Sequence, residues 1–304
     1  MRIFDSHAHY DSHQFEADRE ELLSRIQSDD QPENFVPVKK IVDVGADMET
    51  SASAIKLSEK YEFIYAAVGV HPDSAGKLIF SHNSDIKQPI SENSDHKLNV
   101  IEENEEVPVY TYDICLNNRE RLKKYAVERR VIAVGEIGLD YHWDVWPRDI
   151  QKKAFEWQWR MASEFNLPVI IHSRDAAEDT LNMIKDFYAE GNGKELKAVM
   201  HCYSYSAEHA KEYLKMGLMF GIGGVVTFKN AKKLNEVVDM LPLDRILLET
   251  DCPYMAPDPF RGKRNHSGYL CYVAEKIAEI KGVDVKKIYD CTWENAERFF
   301  CFKK

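Results

Sequence analysis

Two histidines near the start of the chain are spaced so that both could bind one metal ion. His7 and His9 closely follow the apolar pair Ile3 and Phe4. Because side chains alternate between the two faces of a β-strand, residues two apart point the same way. Imidazole is a good ligand for zinc and other first-row divalent metals. The spacing therefore predicts a shared metal site, with one capping and one exposed histidine as the alternative.

Residues of the same chemical kind recur directly after later apolar runs of the chain. Those that follow the first, third, fourth, fifth, sixth and eighth runs are His7, His9, His71, Glu136, Asp140, His172, Arg174, His201, Glu249 and Asp251. If the runs are parallel strands of one barrel, their carboxyl ends share one rim, where barrel enzymes carry their active sites. The seventh run ends in glycines at 221, 223 and 224, where backbone could approach a ligand closely.

This mixture of side chains suits a two-metal hydrolase. Two ions about 3.5–4 Å apart can clamp the attacking and leaving oxygens of a displacement. We predict that Glu136 bridges the ions and that Asp251 ligates the first ion and orients or deprotonates a water. The remaining ligands would be His7 and His9 for one ion, and His172 and His201 for the other. Taken singly, Asp140 could instead cap a helix and Glu136 could pair with Arg174.

Eight apolar runs, each followed by a helical pattern, would position these residues. The runs span residues 2–4, 40–44, 63–70, 131–135, 168–171, 197–200, 219–222 and 245–248. The helical patterns span residues 16–26, 50–61, 119–129, 148–165, 176–188, 207–216, 231–240, 268–281 and 285–300. Continuous apolar runs are typical of parallel strands buried on both faces. Eight alternations predict an α/β fold, a (β/α)8 TIM barrel. The alternative, a doubly wound sheet, is weakened because no Gly-x-Gly-x-x-Gly follows a run.

Length and composition predict a single domain with one irregular segment. The 304 residues are 44% hydrophobic, which is enough for a sizeable core, so we expect one TIM-barrel domain over 1–304. Residues 79–112, after the third run, are polar and contain seven acidic residues and two lysines, for a net charge of −5. Such a composition predicts a mobile surface insertion. A role as a lid or partner contact is the alternative.

Several classes of protein are disfavoured by composition. No apolar run reaches membrane length, and Met1 leads directly into a strand, so we expect a cytoplasmic protein without a signal peptide. The six cysteines form no Cys-x-x-Cys pair, which indicates free thiols. A net charge of −11 argues against a broad basic face for nucleic acid. It leaves room for a nucleic-acid enzyme, because bound divalent ions and a local basic loop can supply positive charge.

Five motifs follow one another in a fixed order from Met1 to about Phe300, interrupted by residues 79–112. They are Asp-Ser-His-Ala-His, Gly-Val-His-Pro, Gly-Glu-Ile-Gly-Leu-Asp-Tyr, Val-Ile-Ile-His-Ser-Arg-Asp-Ala and Leu-Leu-Glu-Thr-Asp-Cys-Pro-Tyr. Together they resemble the TatD family of metal-dependent hydrolases, and the acidic insertion departs from the plain family pattern.

The resemblance implies a metal-dependent deoxyribonuclease on an amidohydrolase-type barrel, often a 3′-to-5′ exonuclease. It implies two divalent ions (zinc, manganese or magnesium), the metal roles assigned above, and a DNA substrate that is single-stranded or entered at 3′ ends. It also implies that His71 contacts phosphate. No membrane and no obligate protein partner is indicated.

A basic loop at residues 259–265 is a further family feature and follows Asp251 closely. Arg261, Lys263 and Arg264 lie in it, and guanidinium groups bind phosphate in a bidentate manner. We predict substrate contacts from Arg261 and Arg264, and from Arg174 beside His172. The alternative is a solvated basic turn.

Three functions compete at this point. The first is phosphodiester hydrolysis of DNA. The second is hydrolysis of a carbonyl centre, in a lactone, an amide or the ester of a D-aminoacyl-tRNA. The third is a non-catalytic scaffold, against which the complete set of metal ligands argues. The basic loop and His71 favour the first.

Overall fold

The protein is described here from a computed structural model that places residues 1–30, 32, 35–79, 112–191, 196–300 and 302. One eight-stranded parallel sheet runs in sequential order. Its strands are β1 (Ile3–Ala8), β2 (Val38–Val44), β3 (Ile64–Val68), β4 (Val131–Asp140), β5 (Val169–Arg174), β6 (Ala198–Met200), β7 (Met219–Ile222) and β8 (Ile246–Leu248). The helices are α1 (Arg19–Gln27), α2 (Met48–Lys60), α3 (Tyr112–Ala126), α4 (Arg148–Glu164), α5 (Ala177–Ala189), α6 (Ala207–Lys215), α7 (Lys232–Met240), α8 (Leu270–Lys281) and α9 (Val285–Phe299).

The sheet closes on itself between its last and first strands. Ala8 forms a parallel bridge with Cys252, and the Ser6 hydroxyl donates to the Leu248 carbonyl at 2.9 Å. The Asp251 N–H donates to the His7 carbonyl, also at 2.9 Å. With helices between the strands, this ring is a (β/α)8 TIM barrel, and the prediction of that fold is confirmed.

The barrel interior is apolar at the end where the strands begin. Phe4 packs there in one cluster with Val42, Ile132 and other inward side chains of the sheet. Helix α9 covers this end, because Phe300, which directly follows it, stacks on Phe4 with ring centroids 5.5 Å apart. Burial of these side chains fixes the barrel and leaves its opposite, carboxyl end for polar groups.

Three strands extend further than their apolar runs predict. β1, β4 and β5 continue through the polar residues at their carboxyl ends, so His7, Glu136 and His172 lie within strands and not after them. Polar residues interrupt an apolar pattern without ending a strand when they are buried against partners of their own. The predicted end points of these three runs are therefore corrected.

An irregularity in β1 turns His7 toward the barrel interior. The pairing of β1 with β2 shifts register between Asp5 and Ala8. Regular alternation would send Phe4 and His7, three residues apart, to opposite faces, but both face the barrel interior. The shift thus puts an imidazole above the apolar layer.

Some predictions fall outside the described residues. The insertion predicted at 79–112 does so except at its ends, Ile79 and Tyr112, so its character and the single-domain assignment stay predictions. None of the helices in the described parts is long and apolar enough to cross a membrane. All five cysteines within those parts are free thiols.

Candidate metal centre and active site

His7, His9 and Asp251 meet where the ring closes. Nε2 of His7 and Nε2 of His9 are 3.1 Å apart, and Asp251 Oδ1 lies 3.6 and 3.2 Å from them. Nδ1 of His9 lies 2.8 Å from the carbonyl oxygen of Val44, at the end of β2. Since a carbonyl only accepts, Nδ1 keeps a proton and Nε2 is the nitrogen that faces the cluster.

Glu136 lies between this cluster and two further histidines. Its Oε2 is 3.7 Å from His7 Nε2, while its Oε1 is 2.8 Å from His172 Nδ1 and 3.7 Å from His201 Nε2. His201 Nε2 is also 3.7 Å from Asp251 Oδ1. The carboxylate of Glu136, a buried residue, therefore faces both groups of imidazoles.

These spacings fit divalent ions. With metal–nitrogen distances of about 2.0–2.1 Å, two ligands on one ion are about 2.9–3.4 Å apart, close to the separations among His7, His9 and Asp251. Ligand atoms of His7, His9 and Glu136 all lie within 4.8 Å of one another, and so do those of His7, His201 and Asp251. Nitrogen and carboxylate donors suit zinc and manganese, and carboxylates also suit magnesium. The residues present thus fit the metal ions that the sequence predicts.

Two buried carboxylates that were not predicted as ligands stand behind the histidines. Asp140 Oδ2 is 3.0 Å from His172 Nε2, and Glu249 Oε1 is 3.2 Å from His201 Nδ1. Metal-binding histidines commonly contact a carboxylate through their second nitrogen, which fixes the ring and raises its basicity. The other oxygen of Asp140 accepts two N–H groups of the turn that follows, and α4 begins only at Arg148, so Asp140 does not cap a helix. The sequence signal for these two supporting carboxylates is their position, four residues after Glu136 and two residues before Asp251.

The glycine at the end of β7 leaves space for one of these supporting carboxylates. A side chain at Gly221 would begin 1.9 Å from Glu249 Oε2. The missing side chain makes room for the supporting carboxylate of His201, while the close approach of this backbone to a ligand stays a prediction.

We expect Asp140→Asn to weaken metal binding by about 10–100-fold while leaving the fold intact. The neutral amide keeps the shape of the side chain but no longer offers His172 a negatively charged hydrogen-bond partner. The midpoint of metal activation, titrated into chelator-treated protein, measures the loss. Asp149→Asn, an exposed acid in the first turn of α4, is the matched control. An unchanged midpoint for Asp140→Asn would contradict the supporting role.

Carboxylates also set the protonation of the metal-free site. Burial lowers the pKa of an imidazole, but the hydrogen bond and charge of Asp251 raise the pKa of His9 to about 10. Against the same effect of burial, Asp140 and Glu136 raise the pKa of His172 to about 10. By contrast, burial and the nearby His201 lower the pKa of His7 well below its usual value.

These shifts predict that metal ions compete with protons. At neutral pH His9 and His172 hold protons that an ion must displace, so apparent metal affinity should rise from pH 7 to 9. In metal-free protein the raised pKa values stabilise the fold fully below the ordinary pKa of 6.5 and lose that effect as pH rises through about 10. Calorimetry in buffers of different ionisation enthalpy measures the number of protons released when the metal binds. Metal binding without proton release would contradict the prediction.

The predicted substrate residues lie in different settings. The His71 ring packs against that of His172 at a centroid distance of 4.3 Å, inside the cluster. The exposed guanidinium of Arg174 lies 5.6 Å from the Trp143 ring centroid, and that of Arg261 lies 4.4 Å from the Phe228 ring centroid.

Arg264 is already engaged within the protein. Its guanidinium donates to both carboxylate oxygens of Asp18, at 2.8 and 2.5 Å, and to the Gln14 carbonyl at 2.6 Å. This geometry ties the basic loop to the chain just before α1. A contact from Arg264 to phosphate would have to displace these bonds.

Comparison with known proteins shows the family to which the chain belongs. The family model described as TatD related DNase matches residues 4–301. Over 298 residues, 98% of each chain, the protein is 41% identical to the uncharacterized metal-dependent hydrolase YabD of Bacillus subtilis. It is 28% identical to the 3′-5′ ssDNA/RNA exonuclease TatD of a Rahnella strain, over 95% of this chain and 94% of the other. The crystal structure of the Escherichia coli TatD homolog YJJV superposes with a TM-score of 0.76 and 27% identity, covering 98% and 97% of the two chains. The chain belongs to the TatD family of metal-dependent hydrolases.

Proposed function

We propose that the protein hydrolyses phosphodiester bonds of DNA with two divalent ions, removing nucleotides from the 3′ end of single-stranded substrate. The observation that carries this proposal is the carboxylate of Glu136, which faces both groups of imidazoles. One bridging carboxylate with histidines on either side is the arrangement that two ions about 3.5–4 Å apart require.

Each residue has a distinct task in this proposal. His7, His9 and Asp251 would hold one ion, His172 and His201 would hold the other, and Glu136 would serve both. When bound, the ions polarise the phosphate and neutralise charge on the attacking and leaving oxygens. Asp251 orients the attacking water and accepts its proton at a carboxylate oxygen. Its side chain is 17% exposed, against 7% for Glu136, so it is the more accessible of the two carboxylates.

His71 is suited to contact the phosphate. Its Nδ1 accepts the Asp73 N–H at 3.2 Å, so the proton of the neutral ring lies on Nε2. From there it can be donated to a phosphate oxygen. The similarity to the Rahnella 3′-5′ ssDNA/RNA exonuclease supports a nucleic-acid substrate of this kind.

A substrate panel tests the proposal directly. Metal-free protein is reloaded with zinc, manganese or magnesium and given a 5′-labelled single-stranded DNA, a small lactone and a D-aminoacyl-tRNA. We expect a ladder shortened from the 3′ end, lost on chelation and absent with Asp251→Asn purified in parallel, which excludes a contaminating nuclease. Turnover of the lactone or the aminoacyl ester alone would overturn the proposal.

Arg261 and Arg264 should differ when each is replaced by alanine. We expect Arg261→Ala to raise KM for DNA and to reduce the slope of log KM against log salt by about 0.7–0.9, the loss of one phosphate contact. Arg264→Ala should instead lower stability by about 1 kcal/mol, because it breaks a partly exposed pair with Asp18. Salt-dependent kinetics and thermal melts separate the two effects, with Arg160→Ala on α4 as the control. An unchanged salt slope for Arg261→Ala would indicate that the loop is a solvated turn that makes no contact with phosphate.

A further inference from the structure

Two exposed aromatic side chains stand out on the described surface. Trp143 is 48% exposed and Tyr254 is 54% exposed. The other large hydrophobic side chains exposed on the described parts of the chain are aliphatic, namely those of Met1, Ile114, Leu116 and Val127. A single exposed aromatic residue is ordinary. These two need a closer look because of where the chain holds them.

Both are tied by their backbone to residues of the metal centre. The Trp143 N–H donates at 3.0 Å to Oδ1 of Asp140, whose other oxygen lies 3.0 Å from His172. The Tyr254 N–H donates at 2.9 Å to the carbonyl oxygen of Asp251. Each aromatic residue therefore follows a site carboxylate by three positions and is fixed at the mouth of the barrel.

The two residues lie on opposite sides of that mouth. Trp143 follows β4 and Tyr254 follows β8, and these strands are four positions apart in a ring of eight. A chain that crosses the metal centre from one side to the other would pass both.

Each side also carries an arginine on an aromatic ring. The Arg174 guanidinium lies 5.6 Å from the Trp143 ring centroid, and on the other side the Arg261 guanidinium lies 4.4 Å from that of Phe228. An aromatic plane beside a guanidinium matches the alternation of base and phosphate along a nucleic-acid strand. A small lactone or amide offers no such alternation.

We propose that Trp143 and Tyr254 are stacking platforms for unpaired bases, one on either side of the scissile phosphodiester, with Arg174 and Arg261 on the adjacent phosphates. The inference rests on the proposed phosphodiester hydrolysis and assigns the residues that select single-stranded substrate. Bases in a duplex are stacked on each other and cannot lie on these rings. Stacking accepts any base, because every base has a π-face, so the selection is for strandedness and not for sequence.

Abasic substrates separate stacking from phosphate binding. Wild type and the variants Trp143→Ala, Tyr254→Ala and Trp143→Phe, all metal-loaded, are compared on a dT oligonucleotide and on the same length ending in abasic residues. We expect each alanine variant to raise KM for the dT oligonucleotide by about 5- to 100-fold and to leave KM for the abasic one unchanged. Trp143→Phe should retain most of the affinity. Tyr125→Ala, which removes a ring beside Arg121 on α3, is the matched control.

A binding measurement keeps the inference testable without turnover. Stacking of a base on Trp143 should quench tryptophan fluorescence when the dT oligonucleotide is titrated, and Trp143→Phe should abolish that quenching. Equal KM for the dT and abasic substrates in wild type, with no base-dependent quenching, would overturn the stacking role while hydrolysis stood. Base-dependent quenching without cleavage of any phosphodiester would overturn the proposed function and leave the stacking platforms supported.

Discussion

Asp251→Asn should lose about 10²–10⁴-fold in turnover, the usual contribution of a general acid or base, while it keeps both ions and binds DNA. The asparagine retains the shape and an oxygen ligand but cannot accept a proton near neutral pH. If Glu136 bridges, each ion already has three protein ligands without Asp251. The substitution should therefore reduce turnover, through loss of the base, more than it reduces metal binding. Single-turnover cleavage and calorimetric metal binding on one preparation measure both.

The structure removes one complication from this experiment. From the sequence, Glu249 could partly substitute for Asp251, since it lies two residues earlier. Glu249 is buried, however, and its Oε1 accepts the Cys202 N–H at 2.6 Å beside His201. Asp244→Asn is the matched control, an exposed acid just before β8 at the other end of the barrel. Joint loss of an ion and of turnover in Asp251→Asn would make Asp251 mainly a ligand.

Glu136→Gln should have the larger effect, because it removes the charge that faces both groups of imidazoles. Burial opposes ionisation, yet the positive charge of His201 and the hydrogen bond and charge of His172 lower the pKa of Glu136 well below its usual value. We expect wild type to hold two ions per chain and the variant at most one, with turnover reduced by at least about 10²–10⁴-fold.

Elemental analysis after gel filtration counts the ions in each protein, and a thermal melt confirms that the variant is folded. Asp244→Asn again provides a matched loss of one carboxylate charge. Two ions and full turnover in Glu136→Gln would show that this carboxylate is not a bridge. A wild type that binds one ion at most, even with added metal, would contradict the two-metal arrangement altogether.

Much of the barrel follows from local pattern. The apolar run at 219–222 coincides with β7, and the helix predicted at 148–165 ends one residue from the end of α4. Three of the predicted runs, at β1, β4 and β5, are too short, because polar residues such as Glu136 resemble a strand end in sequence. Their burial depends on partners from other strands, which are distant in the chain.

The same reasoning explains which site residues were found. His7, His9, His172 and His201 stand out because imidazoles at successive strand ends are rare. The supporting roles of Asp140 and Glu249 depend on which ring nitrogen each carboxylate faces, which only the packed strands decide. The pairing of Arg264 with Asp18 joins residues 246 positions apart, so the basic loop alone could not reveal it.

The closure of β8 on β1 has a consequence for synthesis of the protein. Asp251 lies 242 positions after His9, so the ribosome adds it long after both histidines of β1 and its carboxyl end. A chain that stops before β8 has the two amino-terminal histidines but neither the closed ring nor the proposed base. The proposed site is therefore completed only once β8 has been synthesised, and a product truncated before β8 would lack the proposed activity although it still carries most of the proposed metal ligands.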